Sequence, residues 1–287
     1  MSKEAPIIVL TGASSGIGAV AAMALADQGA HLAVVGRNAE RTRAMASRIG
    51  GEAYLADFDH LDDVHALAEA LLTRYNRIDV LANNAGGLVS KRALTVDGHE
   101  RTIQSNHLAP FLLTNLLLPR LIDSAADAPV RVVSTASMAN LLARLRLDDL
   151  DWQTRPWLGG WGAYGASKLA DLLFIRELAE RTTGTGIRAY SFHPGTVVTG
   201  FGATSPLIKL GHLATGSRYG IRPEQGAVPL IALAGGTLTG NAPIGAPTGT
   251  YFDKLTPGGR VNAQARDPQV ARDLWAVSAR AVGLKQD

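Results

Sequence analysis

Tyr164 and Lys168 stand one helical turn apart in Tyr164-Gly165-Ala166-Ser167-Lys168. On a helix, residues at this spacing leave the same face and can meet over one bound molecule. A free tyrosine titrates near pH ~10, too high for proton transfer at neutrality. A lysine ammonium beside it favours the phenolate and brings that pKa down toward working pH. The pair therefore reads as a proton-transfer device, although Tyr and Lys also meet at this spacing on solvated helix faces. Its meaning rests on what the rest of the chain places around it.

A second group of residues sits near the N-terminus. After the apolar run ending at Leu10 comes Thr11-Gly12-Ala13-Ser14-Ser15-Gly16-Ile17-Gly18, then the apolar segment Ala19–Leu25. Glycines let the chain turn sharply and let its backbone approach a diphosphate, while the following helix offers unpaired N–H groups and a positive dipole end. The spacing is Gly-x-x-x-Gly-x-Gly rather than the commoner Gly-x-Gly-x-x-Gly. Gly36-Arg37-Asn38 follows the second apolar run. An acidic residue there would bind adenosine ribose hydroxyls and repel a 2′-phosphate, whereas an arginine fork suits that phosphate. NADP(H) is thus favoured, with NAD(H) the alternative. Asp57, followed by Phe58, could accept from an adenine amino group or serve as a turn or cap aspartate. In Asn83-Asn84-Ala85-Gly86, Gly86 would leave room for a ribose against the backbone, while the Asn amides bind turn carbonyls.

The elements that must position these residues follow a βαβ pattern. Strands are expected at Pro6–Leu10, His31–Val35, Glu52–Ala56, Ile78–Ala82, Val130–Ser134, Ile187–Phe192 and Gly249–Phe252. Helices are expected at about 16–28, 39–49, 61–75, 98–120, 161–183, 223–235 and 267–282. Most strands lack polar alternation, as expected when helices cover both faces of a sheet. The expectation is an α/β, single-domain Rossmann-type, doubly wound, mainly parallel seven-stranded sheet over residues 1–287. In such sheets ligands bind beyond the carboxyl ends of the strands, where the strand order reverses.

Composition narrows the function classes. The 287 residues are 46% hydrophobic and 18% charged, ordinary for a globular protein with a large core. There is no cysteine, which excludes disulfides, thiolate metal sites and cysteine nucleophiles. The seven histidines show no metal-ligand spacing, so no metal is expected. A net charge of +3 without a basic run argues against nucleic-acid binding. The longest apolar region, 107–122, is interrupted by Pro110, Asn115, Pro119 and Arg120, and reads as a buried helix rather than a membrane span. With no secretion signal at the start, a cytoplasmic location is the expectation.

Thr11–Gly18, Asn83–Gly86 and Tyr164–Lys168, in this order and spacing, resemble the short-chain dehydrogenase/reductase family over essentially the whole chain. The likeness is greatest to its retinol-dehydrogenase-like branch, judged by Arg131–Asn140, Ser167–Glu180, His193-Pro194-Gly195, Gly249-Thr250-Tyr251-Phe252 and Leu274-Trp275. The resemblance implies a catalytic serine at Ser137 rather than Ser134, since aligning Arg131-Val132-Val133 places Ala136-Ser137 on the family's usual serine pair. It implies that Asn106 holds a water leading to Lys168. It implies a nicotinamide clamp in His193–Thr199, in which Pro194 packs against the ring, the Val197 backbone holds the carboxamide, and Thr199 reaches the diphosphate, with Gly195 among the cofactor contacts. His193 is read as structural.

The implied chemistry is hydride exchange between a nicotinamide and a carbonyl or carbinol carbon of a small-molecule substrate. Tyr164 would move the proton, Ser137 would bind the substrate oxygen, and Lys168 would tune Tyr164 and hold the nicotinamide ribose. Gly12, Ser14, Ser15, Gly16, Ile17, Gly18, Arg37, Asp57, Phe58, Asn83, Ala85 and Gly86 complete the expected cofactor contacts. A non-catalytic dinucleotide sensor is the competing class; such relatives usually lose the tyrosine or lysine. An epimerase or dehydratase on the same fold usually has a longer C-terminal region. Residues 200–222, with Phe201, Leu207, Ile208, Leu210 and Leu213, read as a lid over an apolar pocket, which Trp157 and Trp161 would line or else pack against the sheet. Family members often pair through the helix carrying the tyrosine, so a homo-oligomer is one expectation that the residues do not decide.

Overall fold

A computed structural model of the chain describes residues 4–195, 220–236 and 245–285. Its strands are β1 (Ile7–Thr11), β2 (His31–Gly36), β3 (Glu52–Leu55), β4 (Val80–Asn83), β5 (Val130–Thr135), β6 (Ile187–His193), β7 (Tyr251–Asp253) and β8 (Thr256–Pro257). They form one sheet in the order β3-β2-β1-β4-β5-β6-β7-β8. Pairing is parallel as far as β7, and β8 runs antiparallel beside it. The sheet therefore has eight strands where seven were expected. The extra strand is two residues long and contains Pro257, too short to leave a periodic signal. Lys254, at φ 57°, makes the turn that leads into it.

Helices α1 (Gly16–Asp27), α2 (Ala39–Ile49), α3 (Leu61–Arg74), α4 (Ala109–Ala125), α5 (Trp161–Arg181), α6 (Pro223–Gly235) and α7 (Pro268–Ala281) cover the sheet. One buried layer joins Ala21 and Leu25 of α1 and Leu230 and Leu233 of α6 to Ile8, Leu10, Val34 and Phe192. On the other face, Leu67 and Leu71 of α3, Phe111 and Leu117 of α4 and Phe174 and Leu178 of α5 bury Val9, Leu81 and Val132. Apolar residues facing both ways along one strand explain the missing alternation. Outside this, α7 lies across α5, where Leu274 joins Leu169 and Leu173. Trp275 stacks edge-on against Phe111 with ring centroids 4.9 Å apart.

The expected helix over 98–120 is broken. A single turn, Arg101–Ile103, runs into a π-helical segment, Gln104–Leu108, before α4 begins. Pro110 has no N–H, so it cannot supply the ordinary helical bond to the Asn106 carbonyl. Wider π turns of this kind often occur at functional sites. They place Asn106, 1% exposed, at the point where the helix is interrupted.

Strand order reverses between β1 and β4, which lie side by side and parallel: from β1 the chain goes on to β2 on one side, and from β4 to β5 on the other. The glycine loop after β1 and the turn after β4 therefore face one another at the carboxyl ends, where doubly wound sheets hold their ligands.

Candidate active site

Thr11, at the end of β1, fastens the two facing loops. Its hydroxyl donates to the Ala82 carbonyl at 3.2 Å and accepts from the backbone N–H groups of Asn84 (2.9 Å) and Ala85 (3.0 Å). Asn84 donates through Nδ2 to the Thr11 carbonyl at 3.0 Å, and its Oδ1 accepts from Thr135 Oγ1 at 3.1 Å. One amide thus ties the ends of β1, β4 and β5. Gly12 has φ 66°, a conformation that disfavours a side chain. Gly18 lies so close that an added Cβ would sit 2.2 Å from the Gly12 carbonyl oxygen. Helix α1 is pressed against the loop, and its first turn carries neither a side-chain cap bond from Ser15 nor an acidic residue. Unsatisfied N–H groups at a helix start form a ready anion site.

At the end of β2, a Cβ on Gly36 would meet Thr42 Oγ1 at 2.5 Å and Ser14 Oγ at 3.1 Å. Two polar side chains, Ser14 of the loop and Thr42 of α2, therefore converge where the second strand ends. Arg37 is exposed and makes no ion pair or hydrogen bond among the described residues, while Asn38 caps α2 by accepting from the Arg41 N–H. Asp57 is engaged locally. Its Oδ1 accepts from the Asp59 N–H, and its own N–H donates to Asp63 Oδ2, the turn and cap contacts open to an aspartate there. The Phe58 side chain belongs to the core, and its carbonyl accepts from Gln104.

The proton-transfer group lies at the ends of β4, β5 and β6. Ser137 follows β5 and N-caps a short 3-10 turn, accepting from the Ala139 N–H at 3.2 Å. Its hydroxyl is also hydrogen-bonded to the Tyr164 phenol. Ser134, by contrast, is sealed inside β5 at 2% exposure. Tyr164 and Lys168 share one face of α5 and are 6% and 5% exposed. The Lys168 ammonium donates to the Thr135 carbonyl at 2.7 Å and to Asp171 Oδ2 at 2.9 Å. Asn106 donates to the Gly87 carbonyl at 2.9 Å and to Ser167 Oγ at 3.0 Å, and accepts from the Gly87 N–H at 2.9 Å. A methyl placed on Gly86 would lie 3.0 Å from Asn106 Oδ1 and 3.5 Å from Lys168 Nζ. The structure thus gathers Ser137, Tyr164, Lys168, Asn106 and Gly86 around one spot.

The electrostatics depart from the expectation of a phenol brought down by its lysine. Burial pushes the Tyr164 phenol above its ordinary value, and the pull of Lys168 and the Ser137 hydrogen bond in the other direction does not cancel this. The lysine acts with the expected sign, but it is bonded to a carboxylate that offsets its charge. The Lys168 ammonium is held charged by Asp171 and Tyr164 against desolvation.

The remaining expected residues fall as follows, and one of them, Asn83, points elsewhere than expected. Asn83, expected to touch the cofactor, turns its amide into the core and donates to Thr114 Oγ1 at 3.0 Å; the bracing role falls to Asn84. His193 Nδ1 accepts from the Met138 N–H at 3.3 Å, and burial pushes its pKa down, which fixes a neutral ring bracing the backbone beside Ser137. Trp157 donates to the Ser90 carbonyl at 2.8 Å and so packs the loop before α5 onto the segment after β4. Trp161 sets its ring perpendicular to Tyr164, 6.0 Å away. Pro194 and Gly195 close β6, with Gly195 at φ 96°. Val197, Thr199 and most of the expected lid, with Phe201, Leu207, Ile208, Leu210 and Leu213, lie outside the described residues. Asp171 and Thr135 were not anticipated. Asp171 sits three residues beyond Lys168, a spacing that could have been read as an ion pair.

Among the described residues no three metal-ligating side chains converge, and no helix is long and apolar enough to cross a membrane.

Known proteins resemble this chain over most of its length. The short chain dehydrogenase family matches residues 6–146. Retinol dehydrogenase 13 of Homo sapiens is 35% identical over 97% of this chain and 85% of its own length. A Streptomyces sp. (strain C5) protein provisionally named daunorubicin C-13 ketoreductase DnrU is 37% identical over 96% of this chain and 92% of its own. Among solved structures, an uncharacterized protein from Mycobacterium Paratuberculosis superposes with TM-score 0.77 at 34% identity, covering 98% of this chain and 94% of that one. The Pseudomonas aeruginosa RhlG/NADP active-site complex follows with TM-score 0.67 at 28% identity, covering 93% and 96%. The chain belongs to the short-chain dehydrogenase/reductase family, in its retinol-dehydrogenase-like branch, as an NAD(P)-dependent enzyme acting on CH–OH and C=O groups.

Proposed function

We propose that the protein interconverts a carbonyl and an alcohol on a small lipophilic substrate, prefers NADP(H), and uses Tyr164 as its proton-transfer group. The observation that carries this is the Tyr164 phenol hydrogen-bonded to Ser137, one turn from a buried Lys168, beside the strand-order reversal. Lys168, Ser137 and Asn106 meet there, which a helix-face coincidence of Tyr and Lys does not require.

The residues present fit a dinucleotide. The diphosphate would lie on the backbone of Gly12, Ser14, Ser15, Gly16, Ile17 and Gly18, where the start of α1 is uncapped and uncontested by acids. Arg37, exposed and without a partner among the described residues, would take a 2′-phosphate. Asp57 and Phe58 would border the adenine, Ala85 and Gly86 a ribose. Lys168 would hold the other ribose, and Pro194, Gly195, Val197 and Thr199 would hold the nicotinamide side. When bound, the cofactor supplies or accepts a hydride.

The chain's own groups supply the rest. In the reducing direction, Tyr164 Oη gives its proton to the substrate oxygen while Ser137 Oγ hydrogen-bonds that oxygen and steadies its developing charge. Lys168 steadies the phenolate left behind. Asn106 braces Gly87 against α5, which keeps the loop and the lysine in register. Oxidation runs the same proton in reverse. The lipophilic substrate class is supported by relatives named for retinol and daunorubicin and by the apolar residues of 200–222, the proposed lid on this single domain.

The test is turnover of NADPH with a panel of apolar aldehydes and ketones, sugars and small oxo acids. Apolar carbonyls should react with NADPH in preference to NADH. Reaction of only the sugars or acids would overturn the substrate class, and equal use of both cofactors would overturn the preference.

A further inference from the structure

Next to Lys168 lies a buried polar group that the proton-transfer scheme does not use. Asp171 is 1% exposed, two turns along α5 from Tyr164, with Oδ2 2.9 Å from Lys168 Nζ. Its other oxygen is 4.0 Å from Nδ1 of His107, and His107 Nε2 is 2.8 Å from Ser278 Oγ on α7. His107 is neutral, pushed down to about 3 by burial and by the Lys168 charge. Among the described residues, the titratable groups acting on this cluster are Tyr164, Lys168 and Asp171 on α5 and His107 on the π-helical segment.

An ammonium has three N–H donors. Two of the Lys168 donors are committed, one to the Thr135 carbonyl and one to Asp171. Together these fix the direction of the third. Charge matters as much as direction. An isolated ammonium would present a full positive charge to the phenol one turn away, whereas the Lys168–Asp171 pair presents little more than a dipole.

We propose that Asp171 is a positioning residue acting through Lys168: its carboxylate fixes the ammonium and cancels part of the charge offered to Tyr164, so the pair sets the pH at which Tyr164 gives up its proton. This rests on the acid–base reading of Tyr164 given above.

Removing the carboxylate has one sign. In Asp171→Asn the Tyr164–Lys168 pair loses its neighbouring anion, so losing a proton from the pair becomes easier whichever member releases it. A nearby charge moves a pKa by about 1–3 units, so the downward shift should be about one unit or more. An aspartate that only helps the helix pack predicts lower stability with the titration unmoved.

The experiment is a pH titration of tyrosinate absorbance in the chain without cofactor, with the Tyr164→Phe signal subtracted to isolate Tyr164. Asp171→Asn should titrate at least about one unit below wild type. In a Lys168→Met background the same substitution should lower the midpoint by clearly less, because only the direct repulsion of the phenolate by the carboxylate is then lost and the part carried by the lysine is already gone. Asp171→Ser, which leaves space for a water on the ammonium, carries the same expectation if the asparagine variant does not fold. A midpoint that stays or rises in the folded variant, or an equal fall without Lys168, would overturn the proposal. Turnover retained in Tyr164→Phe would instead sink the acid–base reading itself, so the two failures are separable.

Discussion

Gly18→Ala tests whether the glycine turn is a cofactor cradle or only a way out of β1. The added Cβ would lie 2.2 Å from the Gly12 carbonyl oxygen and 2.6 Å from Asn84 Nδ2, where ordinary contact starts at 3.4 Å. Relief at the carbonyl needs 3.4 − 2.2 = 1.2 Å of movement. Neither neighbour yields easily. One is backbone, and the other is held by its 3.0 Å bond to the Thr11 carbonyl. Overpacking of this kind costs about 1–3 kcal/mol. In a chain of this size that lowers Tm by roughly 2–4 °C per kcal/mol. The functional effect should be larger, because a ~1 Å misplacement of a positioning group costs on the order of 10²-fold in rate. Fluorescence titration with NADPH, beside a thermal melt, reads both. The expected result is a folded protein, a few degrees less stable, whose NADPH Kd rises about tenfold or more. A Kd within about twofold of wild type in a destabilised protein would refute the cradle and leave a plain strand-to-helix turn.

Arg37→Asp should raise the NADPH Kd by roughly 10–100-fold, the worth of a charge-assisted bond, and change NADH binding far less; equal effects would remove the basis for the preference. Asn106→Ala should cost about 2 kcal/mol or more in urea denaturation, because Gly87 loses partners for both its N–H and its carbonyl, and it should lower kcat more than it raises KM. His107 provides a pH-dependent test. Its folded pKa is lowered from 6.5 to about 3, so the unfolded chain takes up the proton first and stability falls as pH drops below 6.5. From that gap, the stability difference between wild type and His107→Phe should shrink by about 2 kcal/mol between pH ~7 and ~5 in denaturant titrations. A pH-independent difference would show that the ring is not buried neutral.

Much of the fold was legible because its signals are local. Apolar runs such as Ile7–Leu10 and Leu32–Val35 are long enough to mark strands buried on both faces, and Gly12, Gly16 and Gly18 mark where a helix must start against a strand. The Tyr164–Lys168 pair was legible as one helical turn, whereas Ser137 and Asn106 were named only by the resemblance to a known family. What escaped depends on tertiary direction. Sequence could not tell which of Asn83 and Asn84 faces the cleft, since adjacent residues leaving a strand point to opposite sides. It could not show that burial would outweigh the lysine at Tyr164, because desolvation depends on what packs around the ring. The π-helical break at Asn106 was half visible in Pro110, which denies a carbonyl its usual donor. Strand β8 had no signal beyond a proline and a turn.

The measurement closest to the central claim is NADPH oxidation with a reactive apolar carbonyl by wild type and Tyr164→Phe, alongside NADPH binding to both. The account predicts that removing one hydroxyl lowers turnover at least about 10²-fold, the usual worth of a positioned acid, while the NADPH Kd stays nearly unchanged. Turnover at the wild-type rate in a folded, cofactor-binding Tyr164→Phe would contradict it.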